Sequence, residues 1–262
     1  MTNDLGPIYT KQVKENFRTL WANWEPGNPL KLGDFGIMEN KIFVYMGNIK
    51  DFGITFKTRK DHTSDHKFFT SKEGVSYSLS AKADVPVGGV VSAKAGLEIS
   101  FSKENSIFFN AAECKTHMIE NKHNLGIELG KLKQQKKWPR RYVVVTDIIV
   151  SGKAIIAISG SNNSKIKFEA KAPEIEAIDL ADASLNLGVT HEESIGYKVD
   201  AKEGLVLLLG LCKFQSRFLS SNDKFKPFKS TVNPMMVSAM QDADDFQTEE
   251  SEEELYFGQY AQ

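Results

Sequence analysis

The chain has 262 residues, a net charge of −1, 41% hydrophobic and 26% charged residues, which is ordinary for one large domain or two small ones. Its two cysteines, Cys114 and Cys212, exclude a disulfide framework and suit a reducing compartment as buried apolar residues. No apolar run approaches the ~18 residues of a transmembrane helix, and the first residues lack the regions of a signal peptide, so a cytoplasmic chain is expected.

The charge is uneven. Residues 242–262 hold eight carboxylates and no Lys or Arg, a charge of −8, which leaves +7 on residues 1–241. An acidic tail of this kind either aids solubility or masks a basic surface meant for an anionic partner.

In chain order, residues 8–24 read as a helix. Val13, Phe17, Leu20, Trp21 and Trp24 share one face, with Lys11, Lys14 and Arg18 on the others, and Pro26 and Gly27 end it. Such a helix packs on a sheet by its aromatic stripe or lies on an anionic membrane. Residues 28–57 suggest short strands, Ile42–Tyr45 the clearest, and residues 57–73 a polar loop.

The strongest pattern follows. Val75, Tyr77, Leu79, Ala81 and Ala83 alternate with polar residues, and after a Pro-Val-Gly-Gly tip Val91, Ala93, Ala95, Leu97, Ile99 and Phe101 do the same. This is a hairpin with one apolar and one polar face. Arms of this length span roughly 36 Å, or ~25 Å when tilted by ~45°, which is the apolar height of a membrane β-barrel. The same alternation also fits a half-buried hairpin on an ordinary sheet.

Ile107–Cys114 reads as a further strand. Lys131, Lys133, Lys136, Lys137, Trp138, Arg140 and Arg141 form a basic cluster with an embedded aromatic residue, either a solvated helix end or a phosphate-binding patch. No nucleic-acid motif accompanies it, so lipid is the partner it suggests and nucleic acid is not expected. Residues 142–150 read as a central strand. Residues 154–158 and 166–172 flank a Ser/Gly/Asn turn and read as a second amphipathic hairpin, with Ile156, Ile158, Ile166, Phe168 and Ala170 on its apolar face. A short helix over residues 174–182 is expected, then alternation through Ala183, Leu185, Leu187 and Val189 and again at Ile195, Tyr197 and Val199, then a buried strand over residues 205–214. Apolar residues at 232–240, and Leu255, Tyr256, Phe257 and Tyr260, could dock on the body.

No phosphate-binding loop, dinucleotide fingerprint or nucleophile elbow is present. His62, Asp65 and His66, and Cys114, His117 and His123, match no common zinc spacing. The expectation is a protein without catalytic residues, metal or cofactor.

Taken together, Leu32–Gly36, Gly47–Phe52, the hairpin, the Lys-rich stretch before Tyr142–Thr146, the second hairpin, Pro173–Ile175 and the strand ending Leu211–Phe214 resemble, in order and spacing, the pore-forming domain of the gasdermins, particularly the short bacterial and fungal members. The resemblance covers residues 30–216. It implies an α+β fold built on a twisted antiparallel sheet with flanking helices, a pore-forming domain over residues 1–216, and an autoinhibitory acidic tail over residues 217–262. It further implies a latent cytoplasmic form, with hairpin arms shortened, folded or loop-like, that moves to anionic membranes on release by a protease or a paralogous partner. There it would oligomerise, insert both hairpins and permeabilise the membrane, causing cell death in defence or allorecognition. The cysteine that is lipidated near the start of bacterial members has no counterpart here. The alternative is a non-enzymatic β-rich binding protein whose hairpin is a fixed part of its core.

Overall fold

Helix α1 (Leu5–Phe17) lays Tyr9 and Val13, both 0% exposed, against a large antiparallel sheet. The computed structural model describes residues 5–83, 93–172, 187–201, 204–216 and 255–259. Their class is α+β, mostly antiparallel strand with two α-helices. After α1 come β1 (Trp21–Ala22), β2 (Asp34–Glu39), β3 (Ile42–Asn48), β4 (Thr58–Lys60), β5 (Asp65–Thr70), β6 (Val75–Ala83), β7 (Ala93–Phe101) and β8 (Ile107–Ile119). Helix α2 (Lys122–Gln134) precedes β9 (Val143–Ser151), β10 (Lys153–Ser159), β11 (Ser164–Ala172), β12 (Gly188–Glu193), β13 (Ile195–Ala201), β14 (Leu205–Ser216) and β15 (Leu255–Gln259).

The large sheet runs β1-β14-β9-β8-β10-β13, with β2, β3, β4, β5 and β15 paired beside this path. Strand β8 changes neighbours at Glu113, whose φ is +52°. Before that bend it lies between β5 and β10, and after it between β4 and β9. A second, four-stranded sheet runs β12-β11-β7-β6.

The period of two sorts the core. Ile107 and Phe109 of β8, with Ile156 and Ile158 of β10, face α1 and pack with Tyr9 and Val13. Phe108, Ile155 and Ala157, one residue out of phase, face the four-stranded sheet. The large sheet is thus sandwiched here between α1 and the small sheet. Toward its other end, Val143 and Val145 join Trp21 and Leu209 in one cluster, while Val144 joins Phe35, Trp138 and the α2 residues Leu125 and Leu129 in another.

Four expectations need correction. The first helix ends at Phe17. Arg18 turns left-handed (φ +47°) and Trp21 enters a strand, paired with Leu209. Residues 57–73 contain β4 and β5, because an edge strand beside β8 can carry polar residues on its open side. Residues 153–172 are not a hairpin, because β10 belongs to the large sheet and β11 to the small one. The first hairpin's arms are fully extended strands, not folded or loop-like. The expected strands at 42–45, 142–150 and 205–214 are present as β3, β9 and β14. The expected helix at 174–182, the apolar stretch at 232–240, the acidic run, Val91 at the hairpin tip and Tyr260 lie outside the described residues.

Candidate functional site

The small sheet pairs β6 with β7 residue for residue, from Val75 opposite Phe101 to Ala83 opposite Ala93. Strand β11 continues it on the other side of β7, from Ser164 opposite Phe101 to Ala172 opposite Ala93. This register places all the alternating apolar residues of β6, β7 and β11 on one face. On that face Ala95, Leu97, Ile99, Phe101, Ile166 and Phe168 are at most 1% exposed. Five of these six are large, and burying each is worth about 1.5–3 kcal/mol, so the face holds the sheet down by roughly 10 kcal/mol. Tyr77 shares the face but stands near its open edge, 44% exposed, touching Phe68 and Phe108 edge-on. The opposite face exposes Ser76, Ser78 and Ser80, and there Glu98 ion-pairs with both Lys165 and Lys167.

The two sheets share one strand order. β5, β8, β10 and β13 are neighbours in the large sheet, and their chain continuations β6, β7, β11 and β12 are neighbours in the same order in the small one. One four-stranded antiparallel sheet is in effect folded back on itself along a crease. Each of the four strands crosses the crease through a short corner, and each corner holds one residue at positive φ: Gly74 (+85°), Asn105 (+62°), Asn163 (+61°) and Ser194 (+54°).

Side chains stitch the crease where ladder bonds stop. The Ser159 hydroxyl accepts from the Ser106 N–H at 2.9 Å and donates to the Lys103 carbonyl at 2.7 Å. The Ser71 hydroxyl accepts from the Ile107 N–H at 2.8 Å and donates to Gln12 of α1 at 2.8 Å. Sequence reasoning missed these residues and the true neighbours of β11, which are β7 and β12. The signal was available: four Ser/Gly/Asn clusters, near residues 71–74, 102–106, 160–164 and 194–196, punctuate alternating runs.

Of the second hairpin's expected apolar residues, Ile166 and Phe168 lie on the buried face of the small sheet, and register puts Ala170 on that same face. Ile156 and Ile158 do not; they sit in the core beneath α1.

The basic residues fall into two groups over different cores, on α1 and around the end of α2. Lys11 is exposed and 3.9 Å from Glu15, and Arg18 is exposed. Lys131 bonds Glu128 at 2.7 Å, Lys133 lies over the Phe214 ring, and Lys136, Lys137, Arg140 and Arg141 are exposed. Burial, then the charge of Arg140, lowers the pKa of Lys213, so β14 adds a lysine to this patch that the sequence did not single out. Trp138 is corrected from surface to core. It is 3% exposed and packs on Phe35, Phe52 and Tyr142, because the loop after α2 must cover the open end of that cluster.

Lys14 is half-buried over the Trp21 ring, and burial lowers its pKa from 10.5 to about 8. The unfolded chain therefore holds one more proton between about pH 8 and 10.5, and stability rises with pH across that window. Lys14→Met is expected to raise stability at pH 7 by about 1 kcal/mol after solvent screening, and to remove that rise. Urea titrations at pH 7 and near pH 10 would show a mutant advantage at the first that vanishes at the second.

At the other end of the molecule, β15 pairs antiparallel with the last residues of β14, Cys212 opposite Gln259 through Ser216 opposite Leu255, and lies against α2. The docking expected of the last apolar residues is therefore a strand added to the β14 edge beyond β1. Lys122 of α2 grips both carboxylate oxygens of the buried Asp147 of β9, at 2.8 and 2.6 Å. Thr146 donates to the same carboxylate at 2.9 Å and stands 3.3 Å from the Cys212 sulfur.

Burial pushes the Cys212 and Cys114 thiols up, which suits packing and not nucleophilic chemistry. His66 bonds Asn110 at 2.7 Å and stacks on Phe68. Among the described residues no group of three His, Cys, Asp or Glu side chains is placed to hold a metal ion, and no helix is long and apolar enough to cross a membrane. The chain matches no family model, and no curated protein matches it in sequence.

Proposed function

We propose that the chain is a latent pore-forming protein of the gasdermin type, in which the folded-back sheet is the stored form of two membrane-crossing hairpins. The observation that carries this reading is the shared strand order across the crease. Straightening the four corners turns β5–β6, β7–β8, β10–β11 and β12–β13 into continuous strands without changing any neighbour. The nine-residue arms β6, β7 and β11 meet the 9–11 residues that a tilted strand needs to cross a bilayer. Lipid is as apolar as the core these arms leave, so a membrane can replace the roughly 10 kcal/mol of burial that water cannot. An open edge in lipid leaves backbone groups unpaired, so many copies must close into a barrel.

The same reading assigns roles to the rest. The exposed lysines and arginines of α1 and of the α2 end engage anionic lipid. Strand β15, which follows the eight carboxylates of residues 242–254 in the chain, covers the end of β14, and its loss frees that edge and the basic patch beside it. The exposed serines of β6 face the water-filled lumen.

The test uses the full chain with a specific protease site inserted between residues 217 and 254. Dye-loaded vesicles rich in anionic lipid should stay intact with uncut protein and leak after cleavage. Vesicles that stay intact in both cases would sink the proposal. The alternative, a binding protein, draws on the complete burial of Leu97, Ile99 and Phe101, which suits a permanent core equally well.

A further inference from the structure

The polar face of the small sheet is not uniform. Near the crease Glu98 bonds both Lys165 and Lys167, and Glu193 stands opposite Lys165, so two carboxylates balance two lysines there. At the far end the register sets Lys82 directly opposite Lys94, and Lys94 directly opposite Lys171. Three lysines thus stand abreast on neighbouring strands, on the face opposite Leu97 and Ile99. Over all the polar-face positions of the four strands, five lysines stand against three glutamates, a net of +2 for each copy.

We infer that this row forms a basic ring in the lumen and makes the pore prefer anions, an inference that rests on the pore-forming reading above. With lysines on three adjacent strands of every copy, closure of the barrel repeats the triplet around its circumference. Charged side-chain rings are how channels choose the sign of what they pass. The ring's reach is set by screening. At about 10 mM salt the field extends ~30 Å into the lumen, and at about 1 M only ~3 Å. The preference is therefore a property of low ionic strength, and it applies to small anions and to acidic cargo whose own charge brings it to the wall.

The full chain, cut on a planar bilayer through the inserted protease site, would be placed in a KCl gradient centred near 10 mM. The reversal potential should show chloride favoured over potassium by about threefold and relax toward no preference near 1 M. Lys82→Glu, Lys94→Glu and Lys171→Glu together should reverse its sign. If that variant does not fold, the three Lys→Gln changes should cancel the preference without reversing it. Release of an uncharged dye is measured in parallel. Dye release with no anion preference at low salt, or with a preference that neither variant alters, overturns the inference while leaving the pore standing. No dye release from any form overturns the pore, and the ring with it.

Discussion

Tyr77→Arg is expected to abolish vesicle leakage, whereas Ser78→Arg, one residue along the same strand, leaves it intact. Both side chains are exposed in the folded-back form, and they point to opposite faces of β6. For Tyr77 the fold loses two edge-on ring contacts worth about 0.5–1.5 kcal/mol each, beside the partial burial of the ring. The arginine stem can cover Phe68 in part. At Ser78 the new charge sits opposite Glu98. In a lipid-crossing strand the two sites part company. An arginine on the lipid face costs up to about 2–4 kcal/mol at mid-bilayer and less near the interface, in every copy of the ring, while a lumen-facing arginine costs almost nothing. Leakage should fall at least tenfold for Tyr77→Arg alone. Equal leakage by both variants, with both shown to be folded, would mean that β6 never leaves its core. The pair is a better probe than a charge at Leu97. That residue is 1% exposed, so aspartate there would unfold the protein before any membrane was met.

Lys122→Met is expected to destabilise the fold by about 2–4 kcal/mol, and Asp147→Asn by about 1–2 kcal/mol. The asymmetry follows from exposure. The Asp147 side chain is 11% exposed and that of Lys122 is 35% exposed, so removing the lysine strands a buried carboxylate, whereas removing the carboxylate leaves an ammonium group that can turn to water. Asparagine also keeps an acceptor for the Thr146 hydroxyl. Denaturant titrations of the two single variants and the double variant would measure this. Equal losses in the two singles would show that the pair is a surface ion pair in effect. The pair ties α2 to β9, and α2 also lies against β15, so Lys122→Met should also loosen the docking of β15.

Local alternation was legible in the sequence; choice of partner was not. The arms of the first hairpin were evident because Val75 to Phe101 alternate without a break on either side of the tip. β9 and β14 were evident because buried central strands are almost wholly apolar. The period of two names faces, however, and says nothing of neighbours. Ile156 and Ile166 both read as apolar-face residues around a turn-like cluster, yet one lies under α1 and the other opposite Ile99, over sixty residues away in sequence. The first helix was overextended for a related reason. Trp21 and Trp24 continue the helical face of Val13 and Phe17, but Trp21 gains more by completing the β14 edge. In the basic cluster, charge marked the surface correctly for Lys136, Lys137, Arg140 and Arg141. Trp138 was hidden among them because composition cannot tell a solvated tryptophan from one that closes a core.

The position of β15 in the chain has a consequence in time. At about 5–20 residues per second, roughly 2–9 s separate the synthesis of Ser216 from that of Gln259. Throughout that interval the β14 edge has no strand to cover it at Cys212–Ser216, and every newborn copy passes through the uncapped form. On the proposed reading each molecule is briefly competent before it is restrained. What protects the cell then is stoichiometry. A ring needs many such copies to meet within seconds, so the hazard of synthesis scales steeply with the rate of expression. Strong overproduction should be toxic even where no protease ever acts.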